Sequence, residues 1–139
     1  MSLSPNAFDD LLALARRARQ QAYAPYSRFL VGAALLTRDG RQFSGCNVEN
    51  ASYGLCNCAE RTALFSAVAA GCQPGDFAAL AVIGDTPDPI SPCGACRQVM
   101  SELCDDAMPV LLSNLHGALQ ETPVAALLPG SFKLPLPVA

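Results

Sequence analysis

Several residue types are scarce in this chain of 139 residues, and each scarcity argues against a class of function. Tryptophan is absent, histidine occurs once, and only 9 lysine and arginine residues stand against 12 acidic ones. The formal net charge is therefore −3. Because a nucleic-acid backbone is bound through clustered basic side chains, this balance predicts no nucleic-acid partner.

The sequence also lacks a long hydrophobic run. No apolar stretch approaches the roughly 20 residues that a membrane-spanning helix requires, so we expect no membrane partner. Residues 1–5 have neither the basic start nor the apolar segment of a secretory signal, which favours a cytoplasmic protein. With no internal repeat and no composition boundary, the sequence predicts a single domain over residues 1–139.

Cysteine, by contrast, is abundant, with seven copies. An odd number with uneven spacing is a poor disulfide framework, and the thiols of cytoplasmic proteins normally stay reduced. Three cysteines have the spacing of metal ligands: Cys58, Cys93 and Cys96. The other four lie in or beside apolar runs, where we expect small buried hydrophobic side chains: Cys46, Cys56, Cys72 and Cys104.

The hydrophobic periodicity predicts alternating helices and strands. We expect four helices: from Pro5 (capped by Ser4) to about Tyr23, over 59–70, from near Gly94, and over 124–128. We expect five strands: over 29–37, 42–46, 77–84, 109–113 and 118–121. The order α-β-β-α-β-α-β-β-α predicts an α/β fold, a three-layer α/β/α sandwich with a five-stranded mixed sheet. Right-handed crossovers should make the strands flanking the second and third helices parallel. The second helix is apolar enough, with Leu64, Phe65 and Val68, that we expect most of its surface to be covered.

The tetrapeptide Cys58-Ala59-Glu60-Arg61 marks the start of the second helix, and Cys93-x-x-Cys96 marks the start of the third. If both helix starts meet at one sheet edge, three thiolates can share an ion, and the helix N-termini favour the thiolate form. Structural zinc sites usually have four protein ligands, whereas catalytic sites keep one position for water. Three cysteines therefore predict a catalytic zinc site, with Glu60 as a general acid and base beside the water.

Three other features of the sequence bear on this site. Arg61 and Arg97 follow the ligand motifs, and either can offset the charge of three thiolates by contacting a sulfur or by adding positive potential. His116 is expected to be a turn residue without a catalytic part. The polar loop over residues 47–54 is a candidate for ligand contacts.

The chain resembles the small homotetrameric zinc-dependent cytidine deaminases. The resemblance covers residues from about 23 to 132 and is carried by five stretches: Tyr26-Ser27-Arg28-Phe29-Leu30-Val31-Gly32-Ala33-Ala34, Asn47-Val48-Glu49-Asn50-Ala51, Cys58-Ala59-Glu60-Arg61-Thr62-Ala63, Ser91-Pro92-Cys93-Gly94-Ala95-Cys96-Arg97-Gln98 and Leu127-Leu128-Pro129. In the broader signature of zinc deaminases, a conserved Glu that is not a ligand accompanies three ligands. The Cys56-Asn57 pair departs from the pattern, and we expect the Cys56 thiol to point away from the ligands.

The resemblance implies a role for each matching position. One Zn²⁺ per chain would be bound by Cys58, Cys93 and Cys96, and Glu60 would shuttle protons while zinc-bound hydroxide attacks C4 of cytidine or deoxycytidine. Substrate contacts would come from six residues: Phe29 stacked on the pyrimidine, Asn47 and Glu49 on the ribose, the Ala59 backbone on the base, and Tyr53 and Phe132 in a neighbouring subunit's site. The products would be uridine or deoxyuridine and ammonia, in pyrimidine salvage, by a homotetramer with shared active sites.

Four other interpretations compete with this one. An antibiotic deaminase of the blasticidin type would share the signature, but Asn47 and Glu49 favour an ordinary ribose. A polynucleotide cytosine deaminase would need a basic groove. A structural zinc module would need a fourth protein ligand, and a thioredoxin-like protein would use Cys93 and Cys96 without explaining Cys58 and Glu60.

Overall fold

The computed structural model describes residues 5–135, so the predicted cap Ser4 lies outside the described residues. The elements follow the predicted order: α1 (Pro5–Arg19), β1 (Val31–Thr37), β2 (Gln42–Cys46), α2 (Ala59–Ala69), β3 (Phe77–Gly84), α3 (Gly94–Leu103), β4 (Pro109–Asn114), β5 (Leu119–Pro123) and α4 (Val124–Leu127). Within this part of the chain, no helix is both long and apolar enough to cross a membrane.

The five strands form one mixed sheet in the order β2-β1-β3-β4-β5. Strands β3 and β4 pair in parallel, and the other neighbouring pairs are antiparallel. Strands β2 and β3 also run in the same direction, because each is antiparallel to β1, which lies between them. The predicted parallel strands on either side of α2 and α3 are therefore confirmed.

The sheet separates two hydrophobic cores, and their membership defines three layers. Helix α1 packs on one face through Leu11 and Ala15, against the even-numbered residues of β1. Helices α2, α3 and α4 pack on the other face, against the odd-numbered residues of β1. This alternation follows from the two-residue period of a strand, and it confirms the predicted α/β/α sandwich.

Strand β2 lies very close to the start of α2. A Cβ atom added to Gly45 would lie 2.4 Å from the carbonyl oxygen of Ala59 and 2.5 Å from the backbone nitrogen of Ala63. Only a residue without a side chain allows this approach. The packing of β2 therefore sets the position of the first turn of α2, which carries Glu60.

Three predicted features differ in the structure. Helix α1 ends at Arg19 because Tyr23 is bonded to the loop before α2, with its N–H donating to Asn47 O (3.0 Å) and its carbonyl accepting from Glu49 N (2.8 Å). Strand β1 begins at Val31, after a left-handed residue at Arg28 (φ 59°). The prediction that most of the surface of α2 is covered is also wrong for this chain, since Phe65 and Val68 are 46% and 43% exposed.

Candidate functional site

The starts of α2 and α3 converge, as the sequence predicts. Cys58 is the N-cap residue of α2, Cys93 is the N-cap residue of α3, and Cys96 lies in the first turn of α3. Their three sulfur atoms all lie within 4.8 Å of one another, and Cys58 Sγ is 3.6 Å from Cys93 Sγ. The two helix starts thus form one three-sulfur cluster.

This cluster fits a zinc ion. A tetrahedral ion with Zn–S bonds of about 2.3 Å requires its sulfur ligands to be about 3.8 Å apart, close to the separation of Cys58 and Cys93. Among the residues that the structure describes, no other group of three or more histidine, cysteine or acidic side chains is arranged to hold a metal. The donor set leaves a fourth tetrahedral position without a protein ligand.

The thiols of Cys58 and Cys96 influence each other strongly. A hydrogen bond from the Cys96 thiol, together with Arg61 and Cys93, lowers the pKa of Cys58 to about 5. The same bond to Cys58, and then burial, raises the pKa of Cys96. Because zinc binds thiolates, zinc binding would release protons from these thiols, and zinc affinity should depend on pH.

The two arginines beside the motifs have different partners. Arg61 Nη2 donates to Cys58 Sγ at 3.4 Å, so Arg61 contacts the cluster. The Arg97 guanidinium instead donates to Pro92 O (2.8 Å), Leu127 O (2.8 Å) and Ser91 Oγ (2.6 Å). The interpretation of Arg97 as a sulfur partner is therefore wrong, and its contacts fasten the start of α3 to α4.

Glu60 is a buried acid beside the sulfurs. Its side chain lies in the first turn of α2, and the residue is only 4% exposed. Burial, and then the charge on Cys58, raise the pKa of Glu60 to about 7. A carboxyl group with this pKa can both accept and release a proton near neutral pH, as a general acid and base must.

A cavity of about 270 Å³ opens beside this acid. It gathers seven of the predicted site residues: Phe29, Asn47, Glu49, Cys58, Ala59, Glu60 and Cys93. Four lining residues that sequence reasoning did not single out complete its wall: Ser27, Val31, Ile90 and Ser91. Ser27, Val31 and Ser91 belong to the resembling stretches, whereas Ile90 carries no local signal. Two larger clefts, of about 540 and 510 Å³, are not lined by Cys58, Cys93 or Cys96. Cavity size alone therefore does not identify the site.

Asn47 and Glu49 also hold the chain that enters the cavity. Asn47 Nδ2 donates to Phe29 O, and Asn47 Oδ1 accepts from Val31 N, both at 2.8 Å. Glu49 accepts from the backbone N–H of Tyr26 (3.0 Å) and Ser27 (3.1 Å) and from the Ser27 hydroxyl. The sequence did not indicate these structural contacts.

The two residues predicted to reach a neighbouring subunit are exposed. Tyr53 is 73% exposed on a short 3₁₀ turn, where its ring packs edge-on to that of Tyr26 at 6.0 Å between centroids. Phe132 is 68% exposed and does not line the cavity of its own chain. Their exposure leaves both rings available to a second chain.

The other four cysteines and His116 lie outside the three-sulfur cluster. Cys72 and Cys104 are buried as expected, but Cys46 and Cys56 are only partly buried, so that expectation is wrong for these two. The Cys56 sulfur bonds to the backbone of Asn50, with 3.3 Å to its nitrogen. His116 is an exposed turn residue whose Nε2 lies 3.0 Å from Asp85 Oδ1.

Known proteins resemble this chain along most of its length. A family model for the "cytidine and deoxycytidylate deaminase zinc-binding region" matches residues 6–112. The cytidine deaminase of Sporosarcina psychrophila is 57% identical over 124 residues, covering 89% of this chain and 90% of that protein. The cytidine deaminase of Halalkalibacterium halodurans is 58% identical over 122 residues, covering 88% and 91%.

A solved structure extends the similarity to three dimensions. The crystal structure of cytidine deaminase from Burkholderia pseudomallei matches with a TM-score of 0.89 and 60% identity, covering 94% of this chain and all of that one. The family match includes all three cysteines and Glu60. With its mixed five-stranded sheet and its three-sulfur cluster, the chain belongs to the family of cytidine and deoxycytidylate deaminases that is defined by its zinc-binding region.

Proposed function

We propose that this protein catalyses the zinc-dependent hydrolytic deamination of cytidine and deoxycytidine, giving uridine or deoxyuridine and ammonia. The observation that carries the proposal is the shared cavity. The carboxyl group of Glu60 and two of the clustered cysteines line the same space as Phe29, Asn47 and Glu49. The names of the similar proteins support the same activity.

Cys58, Cys93 and Cys96 are the residues that would hold one zinc ion per chain, since their sulfurs have the required spacing. When bound, zinc supplies a lowered pKa to a water molecule, which makes that water a nucleophile near neutral pH. Arg61 offsets part of the negative charge of the three thiolates through its contact with Cys58. This contact would help a bound zinc ion to withdraw electrons, an ability that three anionic ligands would otherwise diminish.

Glu60 moves the protons of the reaction. Its carboxylate takes a proton from the water and delivers it to N3 of the cytosine ring, which makes C4 open to attack. The water oxygen adds at C4 as a hydroxyl group. Glu60 then takes the proton of that hydroxyl and gives it to the amino group, so that the bond between C4 and nitrogen breaks, a carbonyl group forms at C4 and ammonia leaves. One water is consumed and one ammonia is released. A pKa raised to about 7 suits this exchange in both directions.

The other cavity residues would bind and orient the nucleoside. Phe29 offers an aromatic face to the pyrimidine, and the Ala59 backbone offers hydrogen bonds to the base. Asn47 and Glu49 would contact the 3′-hydroxyl side of the sugar, because each retains hydrogen-bonding capacity beyond its contacts within the chain. A neutral nucleoside suits a cavity that contains two acidic side chains, Glu49 and Glu60.

A homotetramer with shared active sites is part of this proposal. Phe65 and Val68 place apolar surface on the outer side of α2, and Tyr53 and Phe132 are exposed aromatic rings. In such an assembly these side chains would be covered, and Tyr53 and Phe132 would reach a neighbouring subunit's cavity. The proposal includes a single cytoplasmic domain that uses neither nucleic acid nor membrane as a partner.

The test combines zinc content with turnover. Purified protein is assayed for zinc per chain and for ammonia release from cytidine and deoxycytidine. We expect Glu60→Gln to keep zinc but to lower kcat by about 10²- to 10⁴-fold, while Glu102→Gln, an exposed acid on α3, behaves as wild type. Cys93→Ser should lose zinc, and Cys56→Ser should keep it. Zinc-loaded wild-type protein without turnover of either nucleoside would overturn the proposed function.

A further inference from the structure

The segment from Ala24 to Phe29 connects α1 to the cavity wall. It is closed by a hydrogen bond from Arg28 N to Ala24 O at 2.9 Å. Arg28 has a φ of 59°, in the left-handed region that residues with a side chain rarely adopt. A segment with such a residue needs contacts from outside itself to stay in one conformation.

Those contacts come from Glu49, which accepts hydrogen bonds from Tyr26 N and from Ser27. The backbone N–H of Ser27 donates to Glu49 Oε1 at 3.1 Å, and its hydroxyl donates to Glu49 Oε2. The same hydroxyl oxygen accepts from the backbone N–H of Phe29 at 3.0 Å. One oxygen atom thus joins the Glu49 carboxylate to the peptide that carries the Phe29 ring.

The other side of Phe29 is held independently. Its carbonyl oxygen accepts from Asn47 Nδ2, and the next anchored amide, that of Val31, donates to Asn47 Oδ1, both at 2.8 Å. The N–H of Phe29 therefore depends on Ser27, whereas its carbonyl depends on Asn47. These two bonds come from different segments, since Ser27 precedes β1 and Asn47 follows β2.

We propose that Ser27 is a positioning residue, whose hydroxyl couples the Glu49 carboxylate to the Phe29 backbone and so sets the ring against the bound base. The part of this proposal that concerns substrate rests on the proposed function, whereas the part that concerns the Phe29 backbone does not. Ser27 is also the main cause of the lowered pKa of Glu49, which agrees with a hydroxyl directed at that carboxylate. Ser27 itself lines the cavity together with Phe29 and Glu49.

The test compares Ser27→Ala with Ser27→Thr, which keeps the hydroxyl, and with Ser44→Ala, an exposed serine on β2. Amide hydrogen exchange is measured by NMR on the zinc-loaded protein at Phe29 and Val31. In Ser27→Ala we expect amide exchange at Phe29 to accelerate by about tenfold, as for the loss of one hydrogen bond, and exchange at Val31 to stay within about twofold. Ser27→Thr should restore slow exchange, and Ser44→Ala should leave both amides unchanged.

Kinetics with cytidine supply the second readout. Because Phe29 would bind the base similarly in the ground and transition states, Ser27→Ala should raise KM by about tenfold and change kcat by less than about twofold. Unchanged exchange at Phe29 in Ser27→Ala would overturn the proposal, and so would equal acceleration at Phe29 and Val31, which indicates general loosening. A loss confined to kcat would overturn the substrate part. Amide exchange can be measured without turnover. If the wild-type protein were inactive, the proposed function would be refuted, and the exchange rate at Phe29 would still test the role of Ser27.

Discussion

Arg61 donates a hydrogen bond to the sulfur of Cys58, three residues earlier at the same helix start, with 3.4 Å between Nη2 and Sγ. The contact raises the pKa of Arg61 and contributes to the lowered pKa of Cys58. Since the charges stabilise each other, Arg61 supports the thiolate form that a metal requires. Arg61 would therefore act on the proposed zinc site through Cys58, one of its proposed ligands.

Arg61→Gln should weaken zinc binding. Outer partners of metal ligands typically contribute 10- to 100-fold to affinity, so we expect a loss of about that size. Competition with a chromogenic chelator at fixed pH measures the change. Arg17→Gln, which removes an exposed arginine on α1, is the control for the altered net charge. Equal zinc affinity in Arg61→Gln and wild type would contradict the assigned role.

Arg97→Met should reduce the stability of the fold. Arg97 donates three hydrogen bonds that join Pro92 and Ser91, before α3, to Leu127 in α4. The substitution removes these bonds and leaves the carbonyl groups of Pro92 and Leu127 without these donors. We expect the free energy of unfolding to fall by about 2–4 kcal/mol. Urea denaturation measures this change, with Gln98→Ala, an exposed neighbour on α3, as the control. A change below about 0.5 kcal/mol, the usual range for surface substitutions, would show that these contacts are not stabilising.

Gly45→Ala should displace the start of α2. The new methyl group would lie 2.4 Å from Ala59 O, so either β2 or the helix must move. We expect a loss of about 1–3 kcal/mol, as for other overpacked cores, with reduced turnover because Glu60 moves with the helix. Thermal unfolding and ammonia release are the two measurements. Gly54→Ala is the matched control for the stability measurement, because nothing lies within 4 Å of its added Cβ.

Asp39 should make the hairpin between β1 and β2 sensitive to acid. Hydrogen bonds from the Thr37 hydroxyl and then from Arg41 lower the pKa of Asp39 to about 2. Because the folded-state pKa lies below the ordinary value of about 3.9, the stabilisation is present above that value and is lost as the pH falls towards 2. The difference in melting temperature between wild type and Asp39→Asn should therefore shrink as the pH is lowered from 5 to 2. Asp10→Asn is the control for net charge, and a constant gap between wild type and Asp39→Asn would refute the prediction.

Local sequence signals were sufficient for most of the secondary structure. Asp39-Gly40 is a typical hairpin sequence, and Gly40 has a φ of 92° between the paired strands β1 and β2. Glycine is common just after a helix, and Gly71 has a φ of 103° just after α2. The boundaries that differ depend on distant partners. Tyr23 leaves the helical pattern because it bonds to Asn47 and Glu49, and no helical periodicity near residue 23 reports that contact.

The candidate ligands follow from residue type and spacing, since three cysteines lie at two helix starts and one acid lies beside them. Their surroundings are visible only in the folded chain: Arg61 contacts a sulfur while Arg97 binds carbonyl groups, burial raises the pKa of Glu60, and Ile90 lines the cavity. Helix starts and turns follow from interactions between near neighbours in the chain. Burial, charge pairing and cavity walls depend on which distant segments the sheet brings together, and the distances between them exist only in the folded chain.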